Sequence, residues 1–186
     1  MAVDSSVWAC LAYLAGLALQ ALWPCRGPQQ MSAGSLNTAE YFGTWYFIAA
    51  AGENSSDLQT FTLMDNAIFS LQGAELPQRL LLQGVFRVGE YCGNKTWIYY
   101  IHPGRDDLEQ EGRPERTVNI YRLDCRDCIL LQESSPGSNR VMLYGRSASP
   151  GAQQVQDFQR AAACMGLTHF LRLPQQAEYC TLESAP

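Results

Sequence analysis

A chain of 186 residues with 47% apolar side chains is long enough for one domain with a closed core and a short appendage. A formal charge of −5 and a pI near 5.0 exclude a nucleic-acid binder built on a basic face, but not a small anion held by a few converging Arg or Lys. Seven Cys point to an oxidising compartment.

The first element is an apolar run, Val7 to Trp23, interrupted only by Gln20. Its length lies between a signal-peptide core of about 7–15 residues and a spanning helix of about 17–25. The segment before it lacks Lys and Arg and carries Asp4, while Gly16 and Ala18 have the small size a cleavage site needs. Two outcomes follow, a removed signal or a retained apolar helix that anchors the protein to lipid. Sequence rules alone favour removal. Residues 24–42, with Pro24, Gly27, Pro28 and Gly34, read as an extended N-terminal arm, and 43–186 form the folded domain.

From Thr44 onward the chain is a series of short β-like runs broken by turn residues. The expected strands are Thr44–Ala51, Asn66–Gln72, Arg79–Val88, Thr96–His102, Thr117–Leu123, Cys128–Glu133 and Asn139–Gly145, with a short eighth over Asp107–Glu111. Turn signals fall between them at Gly89-Glu90, Pro103-Gly104 and Ser135-Pro136-Gly137-Ser138. Strands at this spacing argue for an all-β sandwich or barrel. A single helix follows, with Ser149 as cap, Pro150 at its first position and Gly166 at its end. Val155, Phe158, Ala162 and Met165 form its apolar stripe. One more short strand, Thr168–Leu173, precedes the tail.

Two motifs frame the strand region: Gly43-Thr44-Trp45-Tyr46 at its start and Leu143-Tyr144-Gly145-Arg146 at its end. A Gly-x-Trp opening the first strand and an Arg closing the last resemble the lipocalins, eight-stranded antiparallel up-and-down barrels with one C-terminal helix. That resemblance makes Trp45 a plug at the closed end, with Arg146 stacked on its face for a gain of about 0.5–2 kcal/mol. Longer stretches, Trp45-Tyr46-Phe47-Ile48-Ala49, Lys95-Thr96-Trp97-Ile98-Tyr99, Glu111-Gly112-Arg113-Pro114 and Leu143-Tyr144-Gly145-Arg146-Ser147, resemble the apolipoprotein M family within the lipocalins. The usual Thr-Asp-Tyr corner is represented only by Asp124-Cys125.

The resemblance implies a secreted, monomeric carrier on plasma high-density lipoprotein that binds sphingosine-1-phosphate in its barrel, with no cofactor and no chemical step. It also implies that residues 1–23 are retained as the lipid anchor. Phe47, Phe69, Leu71, Leu82, Phe86 and Tyr99 are the inward-facing candidates for the ligand tail, subject to register, since a slip of one residue inverts the set. For the phosphate the matching positions are Lys95, Trp97 and Arg113. Lys95 stands where the mammalian family pattern has Arg, so a planar fork becomes a point charge. Arg140 and Tyr144 match positions that support the same head group, and Glu133 is placed to accept from an ammonium or hydroxyl.

Cys10 lies inside the apolar run and is set aside as unpaired; the other six Cys allow fifteen pairings. The family pattern implies Cys25 with Cys164 and Cys92 with Cys180. Its third bridge does not carry over, because the partner position of Cys125 holds Gln154. Cys128, three residues on, is the inferred local partner, in a ring small enough to constrain little and reduce easily; two free thiols, an intermolecular bond or exchange with the other pairs are the alternatives. Asn54-Ser55-Ser56 and Asn94-Lys95-Thr96 are glycosylation sequons. The competing readings are a carrier of retinoid or fatty acid, and a lipocalin-type isomerase using an inward free Cys125 or Cys128. Gly145-Arg146-Ser147-Ala148-Ser149 lacks the last Gly of a hydrolase elbow, and a zinc site at Cys125 and Cys128 needs both its other ligands from His102 and His169, the only two His.

Overall fold

The computed structural model describes residues 25, 27–74, 78–125 and 127–182, with positions 6, 8–10 and 13 of the N-terminal run. The expectations for residues 1–23 as a signal or anchor lie almost wholly outside the described residues. Among the described residues no helix is long and apolar enough to cross a membrane.

The core of the molecule is a closed antiparallel barrel. Its strands are β2 (Gly43–Gly52), β3 (Asn66–Gly73), β4 (Arg79–Val88), β5 (Tyr91–Ile101), β6 (Leu108–Gln110), β7 (Arg113–Arg122), β8 (Cys128–Ser135) and β9 (Ser138–Gly145). Each pairs with its sequence neighbour, β7 pairs with β8, and β2 pairs with β9, so the sheet has no free edge within the barrel. Two short strands lie outside this ring. β1 (Gln29–Met31) adds to β7, and β10 (His169–Arg172) adds to β2.

Alternation along the strands sorts the apolar residues into two cores. Inward side chains such as Phe47, Phe69, Leu82, Tyr99, Val118, Ile129 and Tyr144 form the interior. Outward ones, including Ile48, Ala49, Leu130, Val141 and Leu143, form a second core beneath helix α1 (Ala152–Cys164), which contributes Val155, Phe158, Ala161 and Ala162. β2 is therefore buried on both faces, and its Ala49-Ala50-Ala51 run lets neighbouring elements approach closely. A register shift between Phe47 and Ala49 makes Ile48 an extra residue: Phe47 and Ala50 face inward, Ile48 and Ala49 outward.

Three sequence expectations are corrected. The N-terminal arm is not simply extended: after β1 it makes two 3-10 turns, Ala33–Ser35 and Thr38–Tyr41, that pack into the barrel. The helix starts later than Ser149-Pro150 implies, with Gly151 as its N-cap residue and no side-chain cap. Gly166 does follow its end, at φ +79°, a conformation that favours glycine. The fifth and seventh strands begin several residues earlier than expected, at Tyr91 and Arg113, because cross-strand pairing extends them beyond their apolar segments.

The described cysteines fall into the pairs Cys25–Cys164, Cys92–Cys180 and Cys125–Cys128, with Cys10 exposed and free. The first ties the N-terminal arm to the end of α1, and the second ties the C-terminal tail to β5. Along its way the tail is held by Asp65, whose carboxylate accepts from the amides of Gln176 and Ala177.

Candidate functional site

The closed end of the barrel is built around Trp45. Its ring is buried and its indole N–H donates to the carbonyl of Tyr41 at 2.8 Å. The Arg146 guanidinium carbon lies 3.8 Å from the centroid of that ring, and its nitrogens donate to the carbonyls of Thr44 and Glu40. Gly43, at φ +97°, turns the chain into β2, and a Cβ there would meet Arg146 Nη1 at 3.5 Å. The end is thus sealed by aromatic, cation and 3-10 turn together.

Above it lies an apolar chamber. Trp45, Leu36 and Tyr41 form its floor; Phe69, Leu71, Leu80, Leu82, Val118, Ile120, Ile129 and Leu131 its wall; Tyr99 and Tyr144 its upper edge. Phe47 and Phe86 belong to the same interior but do not border the chamber. Phe47 stacks on Tyr144 at 5.4 Å, and Phe86 covers Gly93, where a Cβ would meet its ring at 2.4 Å.

Over the chamber the interior changes character. Glu133 Oε2 accepts from Arg140 Nε at 3.0 Å, from Arg140 Nη2 at 2.6 Å and from Arg116 Nη1 at 3.0 Å. The three side chains are 16%, 17% and 11% exposed for Arg140, Arg116 and Glu133, so the pairs are poorly screened. Arg140 also donates to the carbonyl of Asp57 and the hydroxyl of Thr60, and lies over the Phe61 ring at 4.7 Å. These contacts pin the 3-10 segment Ser55–Phe61 across the open end, where Leu58 and Phe61 point into the core. Burial, reinforced by the nearby Glu133 charge, raises the hydroxyls of Tyr99 and Tyr144 well above the ordinary phenol value. Both remain neutral O–H groups at physiological pH.

The rim holds the remaining candidates. Lys95 is exposed, with its Nζ 5.4 Å from the Trp97 ring centroid, and Trp97 in turn lies 5.8 Å from Phe69. Arg113, at the start of β7, is exposed and makes no ion pair among the described residues. The structure therefore gathers Tyr99, Glu133, Arg140 and Tyr144 in one layer, sets Lys95 beside Trp97, and leaves Arg113 apart. Arg116 is a site residue that sequence reasoning missed. With the strand taken to begin at Thr117, Arg116 fell in a loop; the alternation of Val118 and Ile120, extended by one step, puts it on the inner face. The sequon residues Asn54 and Asn94 are both exposed.

Over residues 4–184 the chain matches the family model described as the ApoM domain. Apolipoprotein M of Rattus norvegicus and of Mus musculus are each 32% identical to it over 185 residues, spanning 96% of this chain and 97% of the relative. Among solved structures, the siderocalin Ex-FABP, described as functioning through dual ligand specificities, aligns with a TM-score of 0.64 at 17% identity. That alignment covers 76% of this chain and 99% of the other. Siderocalin Q83, described as revealing a dual ligand binding mode, aligns at 0.61 and 17% identity, over 79% and 96% of the two chains. At such identity these structures share the barrel fold alone.

Proposed function

The chain belongs to the apolipoprotein M family of lipocalins, and from that premise we propose that it is a secreted, lipoprotein-associated carrier of sphingosine-1-phosphate. The observation that carries this reading is the change from apolar to charged within one barrel: an apolar chamber below Tyr99 and Tyr144, and the Arg116–Glu133–Arg140 cluster above them. An amphiphile with one long tail and a zwitterionic head is complementary to that gradient. Each buried methylene of the tail contributes about 0.8 kcal/mol before losses. Glu133 receives the ammonium, Arg140 and Tyr144 face the head group, and Lys95, Trp97 and Arg113 guard the rim as donors to phosphate.

The family and the fold are those of a binding protein. The isomerase reading loses its nucleophile, because Cys128 sits in the outer core beneath α1 and is bonded to Cys125. The N-terminal apolar segment, retained, is the attachment to the phospholipid surface, and Asn54 and Asn94 carry glycans.

Native mass spectrometry of the protein from secreting cells, with no lipid added, tests the proposal. A bound mass equal to sphingosine-1-phosphate, weakened in Arg113→Ala, is the expected result. An empty barrel, or one filled with retinoid, sinks the ligand assignment. The same spectrum reads whether residues 1–23 survive and whether the sequons are occupied.

A further inference from the structure

Of the two arginines on Glu133, Arg116 is the one with hydrogen-bonding capacity to spare. Arg140 is engaged by Glu133, the Asp57 carbonyl, the Thr60 hydroxyl and the Phe61 ring. Among the described residues Arg116 has Glu133 alone, through Nη1, and its Nε is buried with no acceptor from them. Gln110, 6% exposed and paired in register with Tyr99, likewise has a buried Oε1 that no described residue donates to. All three bonds to Glu133 end on Oε2, so the other carboxylate oxygen takes no part in them. Two guanidinium charges against one carboxylate leave this layer formally positive by one unit. A buried guanidinium nitrogen without an acceptor is costly, and an oxyanion satisfies it.

We propose that Arg116, set across Glu133 from Arg140, forms an interior oxyanion site that selects single-chain amphiphiles with a phosphate monoester or carboxylate head. It acts behind Lys95, Trp97 and Arg113, which meet the outer phosphate oxygens at the rim, and discriminates an anionic head from a neutral one of the same chain length. The inference rests on the barrel being a lipid container, and extends that reading by naming the selecting residue and the head-group class. The reason for favouring the interior is dielectric. The same pair of charges interacts several-fold more strongly where water is excluded than at an exposed rim, where salt also screens it. The cluster lies close enough to Tyr99 and Tyr144, which line the chamber, for the Glu133 charge to act on both hydroxyls, so a head held here adjoins the space that takes its tail. The free oxygen of Glu133 accepts a ligand ammonium or hydroxyl, which lets a zwitterion use both signs of charge in one layer.

The test uses delipidated full-length protein titrated with palmitate, with its neutral chain-matched alcohol hexadecanol, and with sphingosine-1-phosphate. Arg116→Gln is the principal variant; Glu133 keeps Arg140 in it, so no buried charge is orphaned. The wild type is expected to prefer palmitate over hexadecanol by about tenfold or more, and Arg116→Gln to bring that ratio near one through loss of palmitate affinity. Arg116→Lys restores part of the ratio, and Arg116→Met is the second removal should the Gln variant fold poorly. The wild-type ratio changes little when salt rises from about 0.05 to about 0.5 M. A ratio that survives in Arg116→Gln, or a wild type without any anionic preference, overturns the proposal. Palmitate binding that depends on Arg116, in a protein indifferent to sphingosine-1-phosphate, upholds this site and removes the sphingolipid assignment. Sphingosine-1-phosphate bound equally by wild type and Arg116→Gln does the reverse.

Discussion

Arg146 and Trp45, at opposite ends of the strand region, meet face to face at 3.8 Å and lock the first barrel strand to the last. The guanidinium is also the hydrogen-bond donor for two carbonyls, Thr44 on β2 and Glu40 in the arm. One side chain therefore fastens the N-terminal arm to the end of the β2–β9 pair, which the backbone ladder already joins.

Replacing it is expected to be costly. Arg146→Ala removes a partly desolvated cation–π contact and two charge-assisted bonds, lowering stability by about 2–3 kcal/mol in urea unfolding. Arg146→Lys recovers less than half, since a point charge cannot stack and bridge two carbonyls together. An Ala variant within about 0.5 kcal/mol of wild type removes the latch role from Arg146.

Gly84 is required by the rings around it. A Cβ there would lie 2.6 Å from Phe69 Cε1 and 3.0 Å from Trp97 Cζ3. Phe69 has little room to withdraw, because Tyr144 stands edge-on to it at 5.3 Å. Gly84→Ala is expected to cost about 1–3 kcal/mol by overpacking and to alter the near-ultraviolet circular dichroism of Trp97. An unchanged spectrum and melting curve would show that the aromatic stack yields freely.

The three disulfides differ in the loops they close. Cys25–Cys164 spans 139 residues, Cys92–Cys180 spans 88 and Cys125–Cys128 spans 3. The chain-entropy model assigns about 5, about 4.6 and about 1.6 kcal/mol to them in that order, as upper values. Ser replacement of both members of each pair, followed by guanidinium denaturation, is expected to reproduce this ranking. A Cys125/Cys128 variant destabilised as much as the other two contradicts it.

Acid should release the C-terminal tail before the barrel. Burial pushes the Asp65 carboxyl up, but the amides of Ala177 and Gln176, the Asn66 side chain and Arg87 outweigh it and hold the pKa below the ordinary Asp value. A depressed carboxylate contributes fully above its unfolded pKa of about 3.9, and the contribution is lost as pH falls through the folded pKa. Hydrogen exchange at Gln176 and Ala177 is therefore expected to be flat above about pH 5 and, once corrected for intrinsic rates, to quicken below about pH 4. In Asp65→Asn that acid step disappears. An acid step that persists in Asp65→Asn assigns it to another group.

Much of this architecture is legible in the residues. Trp45 and Arg146 announce the closed end, and runs such as Arg79–Val88, rich in Leu, Val and Phe and closed by a Gly-Glu turn, announce their strands and even their bounds. Ser149-Pro150 misled because a good cap pair precedes a Gly that the chain uses as the N-cap residue instead. The arm misled because its 3-10 turns carry no periodicity of their own; they exist because Ala33 and Leu36 bury against the barrel floor.

Sequence by itself determined the eight barrel strands, the family, and which residue types could meet a lipid, since apolar patterning, turn chemistry and a Gly-x-Trp motif are local. Only the tertiary structure decided that Ile48 is an extra residue in β2, that Glu133 lies between two arginines, and that Arg116 rather than Arg113 reaches the interior. The physical reason is register. Which face a β residue occupies depends on pairing with strands far along the chain, and one bulge or one early strand start reverses it.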